Sequence, residues 1–175
     1  MAELVVVIGI IAVLAALLLS AISRVRRSAQ SANCLANLHN ISVAFHAYAS
    51  DSDLRYPDPA STTISWEAIL QPYLNQTMVF ACPSDLEVFP ATGSSYDWRD
   101  TRDPATTLAG RRISDPVRGD TVVAFETLPG WHARHMMNAV LADGSCLSMT
   151  EDSCLGDLRL PLVPAGSQGA DGRPH

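Results

Sequence analysis

Residues 4–22 run for nineteen positions without a charge (LVVVIGIIAVLAALLLSAI). As a helix rising about 1.5 Å per residue they cover roughly 28 Å, close to the thickness of a bilayer's hydrocarbon core. A cleaved secretory signal has a shorter apolar stretch, a basic residue before it and a small-residue site after it. That order is missing here, so the segment is expected to stay with the chain as a membrane-grade helix.

The helix need not end at residue 22. Val25, Ala29, Ala32, Leu35, Leu38, Ile41, Ala44, Phe45 and Tyr48 recur at steps of three and four, which extends an amphipathic helix to about residue 50. The sequence DSDLRYPDP then supplies turn formers and two prolines that stop it. With 175 residues in total, one small head remains after the rod. The expected division is residues 1–50 as helix, with 1–22 as its apolar filament-core or membrane segment, 51–160 as head and 161–175 as an extended or disordered tail.

Within the head a short helix is expected over residues 64–74, with Pro72 disturbing its end. Residues 84–120 are rich in turn formers and read as long loops, with one strand near 111–113. Clearer strands lie at 121–126, 137–142 and 145–149, the last two joined through Asp143-Gly144. The fold class is therefore α+β: a long N-terminal helix packed on a small antiparallel sheet with long loops.

Net charge is −6, and all twelve basic residues are Arg. No polybasic surface suits a phosphate backbone, which argues against nucleic acid. Arg24, Arg26 and Arg27 directly follow the apolar run, as interface anchors do. By the positive-inside rule they would hold the head in the cytoplasm, whereas Cys34, Cys82, Cys146 and Cys154, an even number without a Cys-x-x-Cys pair, suit an oxidising compartment. A short basic leader once preceding Met1 and later removed reconciles the two. Four cysteines allow three pairings. Cys34–Cys82 with Cys146–Cys154 is the expected one, because the second closes a short loop and the first staples helix to head.

Glu3 is the residue that a simple anchor does not explain. A carboxylate within a membrane is costly, and its first-turn position beside the helix dipole compensates only in part. The functional alternative is an ion pair with the free amino terminus of a neighbouring copy, carried by Met1. Gly9, Ala12, Ala15 and Ala16 are small enough to let such neighbouring helices approach closely.

The stretch ELVVVIGIIAVLAALLLSAISRVRRSAQSANCLANLHNISVAFHAYASD resembles the N-terminal helix of type IV pilin-like proteins and type II secretion pseudopilins. That resemblance implies processing by a prepilin peptidase, an inner-membrane assembly machinery, and a filament whose core is built from these helices. Glu3 takes the role of the family's assembly glutamate, although two residues precede it where the family has four. Ser20 stands where many members carry a kinking proline, which implies a straighter helix. SWEAILQPYLNQTMVFACPSD and WHARHMMNAVLADGSCLSM are similar to a subgroup with a His-x9-Asp-Gly head signature. Here it reduces to His132, His135, Asp143 and Gly144, with seven residues between His135 and Asp143 and ten from His132.

No nucleophile elbow, P-loop or dinucleotide-binding glycine pattern is present, and no enzyme is expected. His132, His135, Asp143 and Asp120 offer a metal or ligand pocket for the rival reading, a membrane-anchored binding module that never polymerises. No cofactor is required: solvated acidic loops account for the carboxylate clusters, and calcium is the better candidate only if a cation binds. Asp97, Asp100 and Asp103 form one acidic loop cluster, and Glu151, Asp152 and Asp157 form the one that the pseudopilin resemblance favours. Of two glycosylation sequons, at Asn40 and Asn75, Asn75 is the expected exposed acceptor.

Overall fold

The computed structural model of the chain describes residues 2–59, 64–113 and 119–162. Helix α1 (Ala2–Asp51) is continuous over 50 residues, about 75 Å at the usual rise. Among its described side chains burial begins at Gln30. From there Cys34, Leu38, Ile41, Ala44, Phe45 and Ala49, each 0–1% exposed, form one stripe, as side chains recurring at helical steps of three and four must. Asn33, Ala36, Asn40, Val43 and His46 face outward.

The helix stops through its own backbone. Ala49 O accepts hydrogen bonds from Ser52 N (3.1 Å) and Leu54 N (2.8 Å), while Asp53 and Leu54 both take left-handed backbone at φ 50° and 57°. Asp tolerates that region better than Leu, for which it costs roughly 1–2 kcal/mol.

Helix α2 (Trp66–Leu70) is capped by Ser65, whose side chain accepts from Ala68 N, and runs into a 3₁₀ turn at Gln71–Tyr73 that contains Pro72. A second 3₁₀ turn covers Thr77–Phe80, and α3 (Val88–Thr92) follows. Strands β1 (Tyr96–Trp98), β2 (Val122–Glu126), β3 (Met136–Leu141) and β4 (Cys146–Thr150) form one sheet in the order β1-β2-β3-β4, with every pair antiparallel. Helix α4 (Glu151–Leu158) leaves β4 directly, capped by Thr150, which accepts from Ser153 N. The expected α+β class is thus found, with the three expected strands displaced by a residue at most. The strand expected near 111–113 is only an isolated bridge between Arg55 and Arg112.

The sheet is covered on both faces, so β2 and most of β3 are buried without alternation. On one face Ala124, Val140, Tyr96 and Trp98 join the α1 stripe; on the other Val122, Phe125, Met137, Ala139 and Leu141 pack with Cys154 of α4. A bulge between Val122 and Ala124 shifts the register, so Val123 turns to the same core as Ala124. The backbone of Leu162, expected in the tail, donates to Ala105 O (2.9 Å) and its side chain packs on the main core. Residues 163–175 lie outside the described residues.

Phe45 is the hub where α1 meets the head. Its ring stacks on Trp66 (5.9 Å, 4°), meets Tyr56 edge-on (5.8 Å) and lies 5.3 Å from Trp98. Phe45→Ala is expected to cost about 3–5 kcal/mol through lost burial and the cavity left behind. A lowered urea midpoint, with the exposed half of α1 untouched, checks this.

Candidate functional site

Two features carry chemistry: the uncovered half of α1 and a polar cluster where α1 crosses the sheet. Along the first, every large apolar side chain from Leu4 to Val25 is 53–69% exposed. It is the single helix among the described residues long and apolar enough to cross a membrane. Glu3 lies exposed in its first turn. Gly9 has open space around it, since an added Cβ would meet nothing within 4 Å. Ala12, Ala15 and Ala16 are exposed too. Met1 lies outside the described residues.

The second feature begins with a disulfide between Cys34 of α1 and Cys82, as expected from the sequence. Cys82 opens the sequence Cys-Pro-Ser-Asp, and each polar member has a partner. Ser84 Oγ lies 3.3 Å from His132 Nδ1. Asp85 Oδ1 accepts from Glu87 N (2.9 Å) and Val88 N (2.8 Å), and Oδ2 accepts from Phe89 N (2.8 Å) and the Ser95 hydroxyl (2.6 Å). His132 Nε2 sits 3.4 Å from Cys82 Sγ and 3.0 Å from Glu126 Oε1. Glu126 is fully buried on β2. Its Oε2 accepts Asn138 N–H (2.9 Å), and its Oε1 accepts from Asn138 Nδ2 (3.0 Å). Asn138 Nδ2 also lies 3.3 Å from Ser31 Oγ, and the Ser148 hydroxyl donates to Asn138 Oδ1. A cleft of about 370 Å³, lined by Arg24, Arg27, Ser28, Ser31, Glu126, His132 and Asn138 among others, opens beside the cluster.

Sequence reasoning misses Glu126 and Asn138. Their signal is a carboxylate and an amide inside otherwise apolar strands, VVAFE and MMNAVL. A polar group in such a place must find a buried partner.

Burial pushes the Asp85 carboxyl up, but the Ser95 hydroxyl and the N–H groups of Val88, Glu87 and Phe89 outweigh it and hold it below the usual value. A lowered folded-state value adds stability above the unfolded-state value of about 4, and this stability is lost as pH falls through the folded one. The stability gap between wild type and Asp85→Asn is therefore expected to narrow on acidification below about pH 4. Urea midpoints measured across that range check it.

Other expected sites are rearranged. Cys146 and Cys154 are free, against the pairing expected from their short loop. Alternation along β4 turns Cys146 to the α1 face, whereas α4 carries Cys154 beneath the opposite face. Burial raises both thiols above their ordinary value, Cys154 to about 12 with Asp157 adding to the effect.

His132, His135 and Asp143 do not form one pocket. His135 (φ 57°) precedes β3 and is 72% exposed, 3.9 Å from Glu151. Asp143 lies beyond the other end of the strand, where its Oδ1 accepts from Ser145 N (2.8 Å) and Ser145 Oγ (2.6 Å). Six strand residues separate them, roughly 20 Å. Gly144 completes the turn at φ +83°.

Glu151 and Asp152 lie in the first turn of α4 rather than on a loop. Asp157, at its far end, is engaged by Arg99 Nη1 (2.6 Å) and Val122 N (2.8 Å). The calcium triad is therefore not gathered. In the other acidic group Asp97 accepts from Trp98 N, Asp100 pairs with the Thr107 hydroxyl, and Asp103 accepts from Ala105 N. Asn75 is exposed in a bend, and Asn40 is exposed on α1.

No family model matches the chain, and no curated protein or solved structure matches it at a significant level.

Proposed function

We propose that the chain is a structural subunit of a type IV pilus-like or type II secretion pseudopilus filament, polymerising through α1. The supporting observation is the uncovered apolar half of that helix. Fourteen large apolar side chains, Leu4 to Val25, are exposed. At roughly 1.5–3 kcal/mol per buried side chain, leaving them in water forgoes on the order of 20 kcal/mol or more. No described head residue covers them, so their cover comes from outside the head.

Lipid supplies that cover first, and sister helices supply it in the polymer. The bilayer offers no hydrophobic drive for helices to associate with each other, so packing and specific polar contacts must do so. Small residues at positions 9, 12, 15 and 16 allow close approach. Glu3 supplies the charge contact, to the amino terminus of the next copy. Such an interface joins two different patches and is open-ended, which gives helical growth. On this reading a prepilin peptidase and an inner-membrane assembly machinery act on the chain, and heads stapled by Cys34–Cys82 coat the filament outside the inner membrane.

Electron microscopy after detergent removal tests the proposal. Filaments of uniform diameter are the expected result. Dispersed monomers, or aggregates without helical order, would count against it.

A further inference from the structure

The Cys34–Cys82 disulfide does not stand alone. The sulfurs of Cys34 and Cys82, a carboxylate oxygen of Glu126 and a ring nitrogen of His132 all lie within 4.8 Å of one another, and they form the single group of this kind among the described residues. We propose that this cluster has a second state: in the reduced chain, Cys34, Cys82, His132 and Glu126 bind one Zn²⁺ ion.

The donor set is that of a tetrahedral zinc site, with two thiolates, an imidazole and a carboxylate. Its dimensions agree. With Zn–S near 2.3 Å and Zn–N and Zn–O near 2.0–2.2 Å, tetrahedral S and N ligands lie about 3.5 Å apart, and N and O ligands about 3.4 Å apart. The observed separations are 3.4 Å from Cys82 Sγ to His132 Nε2 and 3.0 Å from His132 Nε2 to Glu126 Oε1. A single His132 nitrogen thus faces both a sulfur and a carboxylate oxygen, as a shared ion requires. Once reduced, the sulfurs are free to separate to the roughly 3.8 Å of such a centre.

The surroundings suit the ion as well. In the oxidised chain His132 Nε2, 3.0 Å from Glu126 Oε1, donates its N–H to that carboxylate; on metal binding the imidazole carries its proton on Nδ1 instead, where Ser84 Oγ accepts it, and Nε2 becomes the lone-pair donor. The two Asn138 hydrogen bonds fix the Glu126 carboxylate. These are the outer contacts that orient metal ligands. Two thiolates and one carboxylate against Zn²⁺ leave one net negative charge, and Arg24 and Arg27 line the cleft onto which His132 and Glu126 open. The four ligands come from α1, the loop after the second 3₁₀ turn, β2 and the segment before β3. Either state therefore clamps α1 to the head.

The conversion balances with a reductant of the phosphine or dithiol class. For a phosphine, R₃P, water and the disulfide give R₃P=O and two thiols, a two-electron reduction. Zn²⁺ then displaces the two thiol protons to solvent.

The test uses the full chain in detergent, carrying Cys146→Ser and Cys154→Ala so that only the cluster's thiols remain. After phosphine reduction and anaerobic desalting, Co²⁺ is titrated as a spectroscopic probe and then displaced by Zn²⁺. The expected result is one ion per chain, with sulfur-to-cobalt charge transfer and the strong visible bands of a tetrahedral site, and no binding by the oxidised chain. His132→Ala and Glu126→Gln are each expected to weaken Zn²⁺ binding at least about 10-fold, the lower end of what outer contacts alone contribute. Circular dichroism of each reduced variant records whether the head is folded. Absence of stoichiometric binding by the reduced chain, folded or unfolded, overturns the proposal. So does binding of unchanged strength in both the His132 and Glu126 variants, which would assign the ion to the thiols alone.

Discussion

Arg99→Met is expected to destabilise the head by about 3–5 kcal/mol, the usual consequence of removing one partner of a buried ion pair. Arg99 is 1% exposed, and its guanidinium ties three segments together. Nε donates to Thr106 O (2.7 Å), Nη1 to Asp157 Oδ2 (2.6 Å), and Nη2 to the carbonyls of Asp157 (2.9 Å) and Leu160 (2.7 Å). The Leu160 carbonyl belongs to the turn after α4, and Asp157 also holds the first backbone N–H of β2. Substitution by Met keeps most of the side-chain volume but strands a carboxylate and carbonyls in a place with little water. Domains of this size have roughly 5–15 kcal/mol in total, so the loss takes about a fifth of the reserve or more. Equilibrium urea unfolding of the full chain in detergent checks the size. Asp157→Asn, which keeps the shape and one acceptor, should cost less.

Glu3→Ala is expected to abolish or severely impair polymerisation while leaving the head folded. Glu3 lies about forty residues up the helix from the Phe45 hub and is exposed, so its removal has no route to the core. On the proposed reading its value arises only beside a neighbour. In an apolar setting a lone carboxylate at a helix centre costs about 2.5–3.5 kcal/mol, and less towards an end. Pairing with the next subunit's amino terminus removes that cost and selects one stagger between helices. Each 1.4 kcal/mol lost per added subunit raises the critical concentration about tenfold. Glu3→Ala leaves that amino terminus as the uncompensated charge, at a comparable cost, and should raise the critical concentration by about one to two orders of magnitude. Sedimentation across a concentration series reads this directly, and an unchanged critical concentration would remove Glu3 from the assembly mechanism.

What is legible in the sequence and what is hidden follow from the range of each interaction. Helix α1 is legible to within a residue of its end, because nine apolar positions at helical steps are a local signal. So is the β3–β4 hairpin, from Asp143-Gly144 between two apolar runs. Strand β1 is three residues long, too short for periodicity to register. Helix α4 reads as an acidic loop, although Thr150 and Ser153 form its cap; the charges of Glu151 and Asp152, which suit a helix's first turn, look instead like cation ligands. Asp157 belongs to Arg99, 58 residues away, and no local pattern reveals such a partner. The free cysteines teach the same lesson: the short loop between Cys146 and Cys154 looks easy to close, yet a sheet stands between the two sulfurs. For the polar cluster, Cys34, Cys82 and His132 are visible candidates, but Glu126 completes it only because the β2–β3 pairing sets it against Asn138.

The polymer reading and the cluster are linked through α1. The same helix that leaves its first half bare is clamped by Cys34 in its second half, so force or register passed along the rod reaches the head through a covalent tie and an aromatic hub. The second half of α1 is thus fixed to the head by a disulfide and by packed aromatic rings.

A near-atomic map of the assembled chain tests the central claim most directly. The account predicts residues 4–22 enclosed by the same residues of sister copies, with each Glu3 carboxylate within ion-pair distance of an adjacent chain's amino terminus. A map in which that stretch meets only lipid or detergent, with no second copy alongside, would contradict it.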